Sequence, residues 1–262
     1  MKPWPSGRLL GVLLLLVATP AAAQVDATDS KPALFRTNDL VFAAVFFGSL
    51  LAIEPFENID DGLSPEAAPT GLAGDLSEAG DTFGKGYVSY GLGGAALLGG
   101  ELFGNSRLSR VGLLAIGAVT ASDLIVFPAK VIVGRRRPLA DGGETDEFDS
   151  FAFDREFYSF PSGHTAHAFA LAGVVSNEFG DEAPWVPYVA YPIALLTGAS
   201  RVVGREHWVT DVIAGAAAGL FASKLADRLF GGSDRLGDES NLRPVLSAGG
   251  GRWIVGLSAN TR

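Results

Sequence analysis

Apolar residues gather into six long blocks, separated by polar stretches that contain Gly and Pro. The blocks fall near residues 39–53, 86–104, 109–132, 162–178, 185–203 and 208–230. Each is long enough for a helix, and β-branched alternation is scarce. The pattern therefore predicts an all-α bundle of about six main helices with short extra ones. Between the first two blocks, "EPFENIDDGLSPEAAPTGLAGDLSEAGD" is acidic and interrupted by Pro and Gly. It reads as loop with a short helix. Residues 139–157 read as a long polar loop between the third and fourth helices. The run "GLGGAALLGG" predicts close helix–helix contact. It lacks the strand–helix context of a nucleotide loop.

Three further segments frame the bundle. Residues 1–23 carry Lys2 and Arg8, then a short apolar run, then small residues before Gln24. That is the pattern of a secretory signal peptide, shorter in its apolar part than a membrane span. Residues 24–38 read as a polar lead-in, 39–230 as one helical domain, and 231–262 as a C-terminal tail. The start of the tail, rich in Gly, Asp and Arg, reads as mobile. Its "VLSAGGGRWIVGLSA" predicts a short β-hairpin.

The 262-residue chain has a formal net charge of -9, or -11 once Lys2 and Arg8 are removed with residues 1–23. Such an acidic exported chain argues against a nucleic-acid partner. It has no cysteine, so no disulfide supports it. The block at 109–132 is nearly long enough to span a bilayer but contains Asp123, and the first block is short for one. With residue 24 left outside by cleavage, six spans would put the loops after the third and fifth helices in the cytoplasm. The expectation is a soluble periplasmic bundle, with possible association at a membrane surface. The alternative is an integral inner-membrane protein with an outward-facing site.

Those two loops matter because three motifs stand at the helix ends beside them. "KVIVGRRRP" places Lys130 six residues before Arg137-Pro138, "PSGH" runs from Pro161 to His164, and "SRVVGREHWVTD" holds Arg201, His207 and Asp211. Arg forks match phosphate oxygens, and Lys130 adds a compact charge. Ser162 suits an N-cap and Gly163 lets backbone approach a ligand, so the helix start favours an anion. His207 and Asp211 lie at i and i+4, on one helix face. A carboxylate on one ring nitrogen leaves the other free to attack phosphorus, giving a phosphohistidine. His164 is then the proton donor to the leaving alcohol, and the cations stabilise charge on the equatorial oxygens. Three side-chain cations make a metal unnecessary, and no cofactor is expected.

The three motifs together resemble the signature of the type 2 phosphatidic acid phosphatase and vanadium haloperoxidase superfamily. Every fixed position of K-x6-R-P, P-S-G-H and S-R-x5-H-x3-D is matched in order, from Lys130 to Asp211. The resemblance implies a helical bundle and a metal-independent phosphohydrolase of the cell envelope. His207 is then the nucleophile, Asp211 its orienting partner and His164 the general acid, with Lys130, Arg137, Ser162, Gly163 and Arg201 on phosphate. In membrane members the motif loops face outward, which conflicts with six spans after a cleaved signal. The resemblance also implies vanadate as an inhibitor. In the haloperoxidase branch vanadate is instead the cofactor, ligated by His207, although this chain is short for that branch. A non-catalytic protein that binds anionic lipid or phosphate is the third reading. The partner is a phosphorylated small molecule or a lipid phosphate. Neither the choice between them nor the oligomeric state is set by the sequence.

Several neighbours have plainer readings. Arg135 and Arg136 read as a solvated basic run. His167 reads as a packing residue or a support to the site, since no third metal ligand stands at matching spacing. Asp123 reads either as a buried partner of a cation or as an exposed residue. Glu206 reads as a surface charge or an arginine partner, Tyr158 and Trp208 as pocket lining or core. The Phe-rich run "FDSFAFDREFYSF" reads as an apolar rim or a packed lid.

Overall fold

The computed structural model describes residues 39–53, 57–63, 70–138, 147–231, 241–249 and 252–260. The signal peptide and lead-in expected over 1–38 lie outside the described residues, as do 139–146 of the long loop and 232–240 of the tail. Eight α-helices are described: α1 (Asp39–Leu51), α2 (Glu57–Leu63), α3 (Leu72–Gly84), α4 (Gly86–Phe103), α5 (Ser106–Val133), α6 (Gly163–Phe179), α7 (Val186–Val203) and α8 (Val209–Phe230). A 3₁₀ turn covers Arg155–Phe157. Strands β1 (Asn241–Gly249) and β2 (Arg252–Asn260) pair antiparallel after the bundle.

The six apolar blocks became α1, α4, α5, α6, α7 and α8. Their ends follow local chemistry. Asn105 caps α5 by accepting from the Leu108 amide at 3.0 Å, and α5 stops at Gly134, which is left-handed at φ +60°. A side chain at Gly134 would also collide with the Asp149 carbonyl, because the loop at 147–151 runs directly over it. Ser162 caps α6 by accepting from the Thr165 amide at 3.4 Å, and the Thr165 hydroxyl donates to the same oxygen at 2.9 Å.

Helices α6 and α8 form the centre. Helix α8 is built from small residues, and Ala214, Ala216, Ala217, Ala218, Ala222 and Ala226 are all buried. A Cβ at Gly215 would collide with the Ser162 carbonyl, so the start of α8 lies directly against the start of α6. Farther along, Val111, Leu114, Ala118, Ala170, Val174 and Ala226 join α5, α6 and α8 in one cluster. The glycine-rich stretch of α4 does meet α5 closely, and Gly93 and Gly100 face it without room for a Cβ. Arg228 forks onto Asp39 at 2.6 and 2.7 Å, tying α8 to α1.

Two expectations change. The acidic stretch between the first blocks is more ordered than a loop with a short helix. It holds α2 and the 13-residue α3. Helix α3 lies along α7, and a Cβ at Gly80 would stand 2.7 Å from the Leu196 carbonyl oxygen. That docking is tertiary and leaves little mark on local hydrophobic periodicity.

The second change concerns the solvent. Helices α5, α7 and α8 are each long and apolar enough to cross a membrane. Leu124, Phe127 and Ile132 on α5, with Tyr188, Val189 and Ile193 on α7, are exposed. Apolar surface of this kind is costly in water and at home in lipid. The structure therefore favours the membrane-embedded alternative over the soluble bundle. Asp123, which argued against a span, has partners: its carboxylate is 2.7 Å from His167 Nε2 and accepts from the Tyr90 hydroxyl at 2.9 Å.

Candidate active site

Lys130 stands in the last turn of α5, His164 in the first turn of α6, Arg201 in the last turn of α7 and Asp211 in the first turn of α8. Arg135, just after α5, pairs with Asp211, and Asp81 of α3 meets both Arg201 and His164, so these helix ends lie together at one end of the bundle. After Gly134 the chain is clamped by the following loop. The Asp149 amide donates to the Gly134 carbonyl at 2.7 Å, the Arg137 amide to that of Glu156 at 2.8 Å, and the Ser159 amide to that of Arg135 at 3.0 Å. Lys130 Nζ donates to the Tyr158 carbonyl at 2.6 Å. The long loop thus holds Arg135, Arg137 and Lys130 in place.

His207 is 1% exposed. Its Nδ1 lies 3.7 Å from Asp211 Oδ2, beyond hydrogen-bond reach, and has no hydrogen-bond partner. Asp211, fully buried, is committed elsewhere. It accepts from Arg135 Nη1 at 2.7 Å, from the Ser159 hydroxyl at 2.5 Å and from the Trp208 amide at 2.9 Å. The other fork nitrogen of Arg135 reaches Asp60 of α2 at 3.0 Å. Asp60 also accepts from the Thr210 amide at 3.1 Å and hydroxyl at 2.7 Å. Arg135 is therefore no solvated basic residue. It is fully buried between two fully buried carboxylates. Sequence reasoning missed it because three consecutive arginines look like a surface run, and because Asp60 is remote in the chain and carries no motif.

Burial pushes His207 well below its ordinary value; the Asp211 carboxylate opposes this, while Lys130 and Arg137 add to it. Burial also raises Asp60, with Arg135 opposing. His164 is brought down to about 4, mainly by burial and further by His167, Lys130 and Arg137. Burial thus favours the neutral form of both imidazoles.

The remaining predicted residues meet through two carboxylates. Arg137 donates to Glu206, and Arg201 donates to Asp81 of α3. The other Arg201 fork nitrogen lies 3.5 Å from Glu206, and His164 Nε2 lies 3.5 Å from Asp81. Lys85 Nζ stands 3.1 Å from the second Asp81 oxygen. Arg137 Nε and Arg201 Nε are buried without a partner. A cavity of about 280 Å³ is lined by Ser77, Glu78, Asp81, Ser200, Arg201 and Glu206, among others. Its lining includes the two carboxylates but neither histidine. Gly163 borders Lys130: a Cβ there would be 4.0 Å from Lys130 Cε. Ser162 is fully buried, and its amide donates to the Asp211 carbonyl at 3.0 Å, joining the α6 cap to the α8 start.

The plainer readings also resolve. Glu206 is an arginine partner. His167 supports the bundle beside the site, with Nε2 on Asp123 and Nδ1 3.3 Å from the Gly84 carbonyl. Trp208 is core; its indole donates to the Arg136 carbonyl at 2.9 Å. Arg136 pairs with Glu147 at 2.6 Å. Among the described residues no group of three or more His, Asp or Glu is arranged to hold a metal ion.

Residues 111–233, which contain all three motifs, match the model of the PAP2 superfamily. The match covers just under half of the chain. Within the curated proteins, 67 residues (26% of the chain) are 46% identical to the lipid A 1-phosphatase of Porphyromonas gingivalis. Another 72-residue match (28% of the chain) is 36% identical to an uncharacterized protein of Methanocaldococcus jannaschii. The matches span only 15% and 28% of those relatives' lengths. Among solved structures, Aquifex aeolicus LpxE aligns with a TM-score of 0.47 at 24% identity, covering 66% of this chain and 93% of that one. A transmembrane PAP2 type phosphatidylglycerolphosphate phosphatase from Bacillus subtilis aligns with a TM-score of 0.46 at 20% identity, covering 87% and 98%.

Proposed function

We propose that this protein is a membrane-embedded phosphohydrolase of the cell envelope that removes phosphate from lipids through a phosphohistidine. One observation carries the reading: Arg137, Arg201 and His164 are gathered around two carboxylates next to a buried His207. A tetrahedral dianion offers the same charge and the same acceptor oxygens as those carboxylates. The PAP2 match, the apolar helices and the sequence similarity to a lipid A 1-phosphatase support a lipid substrate.

The chemistry follows from the residues. A ring nitrogen of His207 attacks phosphorus as the bond to the leaving oxygen breaks. His164, charged once the dianion is bound, passes its Nε2 proton to that oxygen. Arg137, Arg201, Lys130 and the first amides of α6 neutralise the equatorial oxygens. The imidazolium formed at His207 finds its counter-charge in Asp211, across the present 3.7 Å gap. Such gaps tighten when substrate is bound. Water then attacks the phosphohistidine and gives its proton to His164. The P–N bond breaks, free phosphate leaves and His207 is restored.

The test is phosphate release from a panel of lipid and soluble monoesters by detergent-solubilised protein, in EDTA and with vanadate added. Hydrolysis of a lipid phosphate, inhibited by vanadate and lost in His207→Asn, is expected. Halide oxidation by vanadate and peroxide without phosphate release would overturn the reading in favour of a haloperoxidase. Binding without turnover on every substrate would make the protein a binder only.

A further inference from the structure

Asp81 lies outside all three motifs, on a helix the sequence read as loop, yet it reaches the centre of the site. The end of α3 is pressed against α6: a Cβ at Gly84 would stand 2.6 Å from His164 Cβ. One turn earlier, Asp81 Oδ1 accepts from Arg201 and lies 3.5 Å from His164 Nε2. Arg201 is 7% exposed, and its Nε is buried without a partner. Both its fork nitrogens are turned to carboxylates, Asp81 and Glu206. Negative charge from Asp81 and Glu206 therefore already stands at Arg201.

A phosphate arriving at Arg201 has to displace one of these carboxylates. Glu206 is held by two arginines, Arg137 and Arg201. Asp81 has a second partner away from the arginines, Lys85, 3.1 Å from its Oδ2 and four residues on, at the C-cap of α3. Asp81 can leave Arg201 and keep an ion pair outside the arginine cluster; Glu206, on leaving Arg201, keeps only Arg137, another cation of the same site.

We propose that Asp81 is a displaceable counter-ion of the phosphate site, moving from Arg201 to Lys85 as phosphate docks and returning as phosphate leaves. The inference rests on the phosphatase reading and adds to it a specificity-determining residue. Only a ligand that offers Arg201 more charge than a carboxylate displaces it readily. A terminal phosphomonoester, with a charge of about -1.5 to -2 at pH 7, meets that condition. A phosphodiester, with a single charge, does not. The returning carboxylate also helps expel product.

The experiment is calorimetric titration of the solubilised full chain with orthovanadate, with inorganic phosphate and with a dialkyl phosphate, which needs no turnover. Asp81→Asn is expected to tighten vanadate and phosphate about fivefold, and to narrow their advantage over the dialkyl phosphate. Glu78→Gln removes one negative charge from the same cavity and is expected to change affinity less than about twofold. Lys85→Gln, which takes away the second partner, is expected to weaken vanadate binding, and to do so less in an Asp81→Asn background. Unchanged or weaker vanadate binding in Asp81→Asn overturns the proposal, as does an equal gain in Glu78→Gln. If Asp81→Asn does not fold, an equal Lys85→Gln effect on dianion and dialkyl phosphate overturns it. Wild-type protein that binds neither vanadate nor phosphate sinks the phosphatase reading itself, an outcome distinct from all of these.

Discussion

Arg135 Nη1 lies 2.7 Å from Asp211 Oδ1, with both side chains fully buried. The same guanidinium reaches Asp60 at 3.0 Å, so one cation joins two carboxylates from α2 and α8. Removing Arg135 leaves two buried negative charges facing each other. Arg135→Met is expected to destabilise the protein by about 3–5 kcal/mol, read as a lower melting temperature in detergent. Arg135→Lys keeps the charge but loses the fork, and should fall between the two. A variant as stable as wild type contradicts the role given to the pair.

His207 and its phosphorylated form give the most direct prediction. His207→Asn should lower kcat by about three orders of magnitude or more, with the melting temperature held. Rapid acid-free quenching of wild-type protein with labelled substrate should trap protein-bound phosphate that is stable to alkali and labile to acid. Label retained by His207→Asn would move the nucleophile elsewhere.

The pH dependence follows from two depressed imidazoles. His207 stays neutral below its ordinary value near 6.5, so the acid limb of kcat/KM should lie below that pH. Stability has the matching sign. The unfolded chain takes up a proton that the folded site refuses, so stability falls as pH drops from about 6.5 toward the folded value. Loss of kcat/KM already complete at pH 6.5 contradicts the assignment.

His164 carries the opposite linkage to ligand. It sits near 4 in the free site, and a bound dianion raises it. Binding should therefore take up a proton, and affinity should rise as pH falls from 8 toward 5. Sulfate keeps a constant charge across that range and is the probe. Calorimetry in buffers of different ionisation heat reads the uptake directly. His164→Asn should remove most of it; an unchanged uptake assigns the proton to another group.

Two glycines separate space in the site from space in the bundle. Gly163→Ala puts a methyl 3.7 Å from Val126 Cγ1 and 4.0 Å from Lys130 Cε, both ordinary contacts. It should fold normally and lose phosphate affinity. Gly215→Ala drives a methyl into the Ser162 carbonyl, and should cost about 1–3 kcal/mol of stability. Melting curves and vanadate titrations on both variants check the contrast.

By itself the sequence determined the six long helices, because block length and scarce β-branched alternation are local properties. It also pointed to a candidate set of reacting groups. Lys130, Arg137, Ser162, Gly163, His164, Arg201, His207 and Asp211 are picked out by short-range spacing; folding puts Arg137 in the loop after α5 and His207 in the turn before α8, not on one helix with Asp211. The partners of those groups were decided only by tertiary structure. Arg135 looked like one of three surface arginines until folding enclosed it between Asp211 and Asp60, 76 and 75 residues away along the chain. Asp81 looked like loop until α3 docked on α7 and α6. Asp123 looked like an obstacle to a span until His167 and Tyr90 met its carboxylate. Local periodicity reports which face of an element is apolar. It carries no record of which distant charge will be buried against which, and that pairing sets the electrostatics of the site.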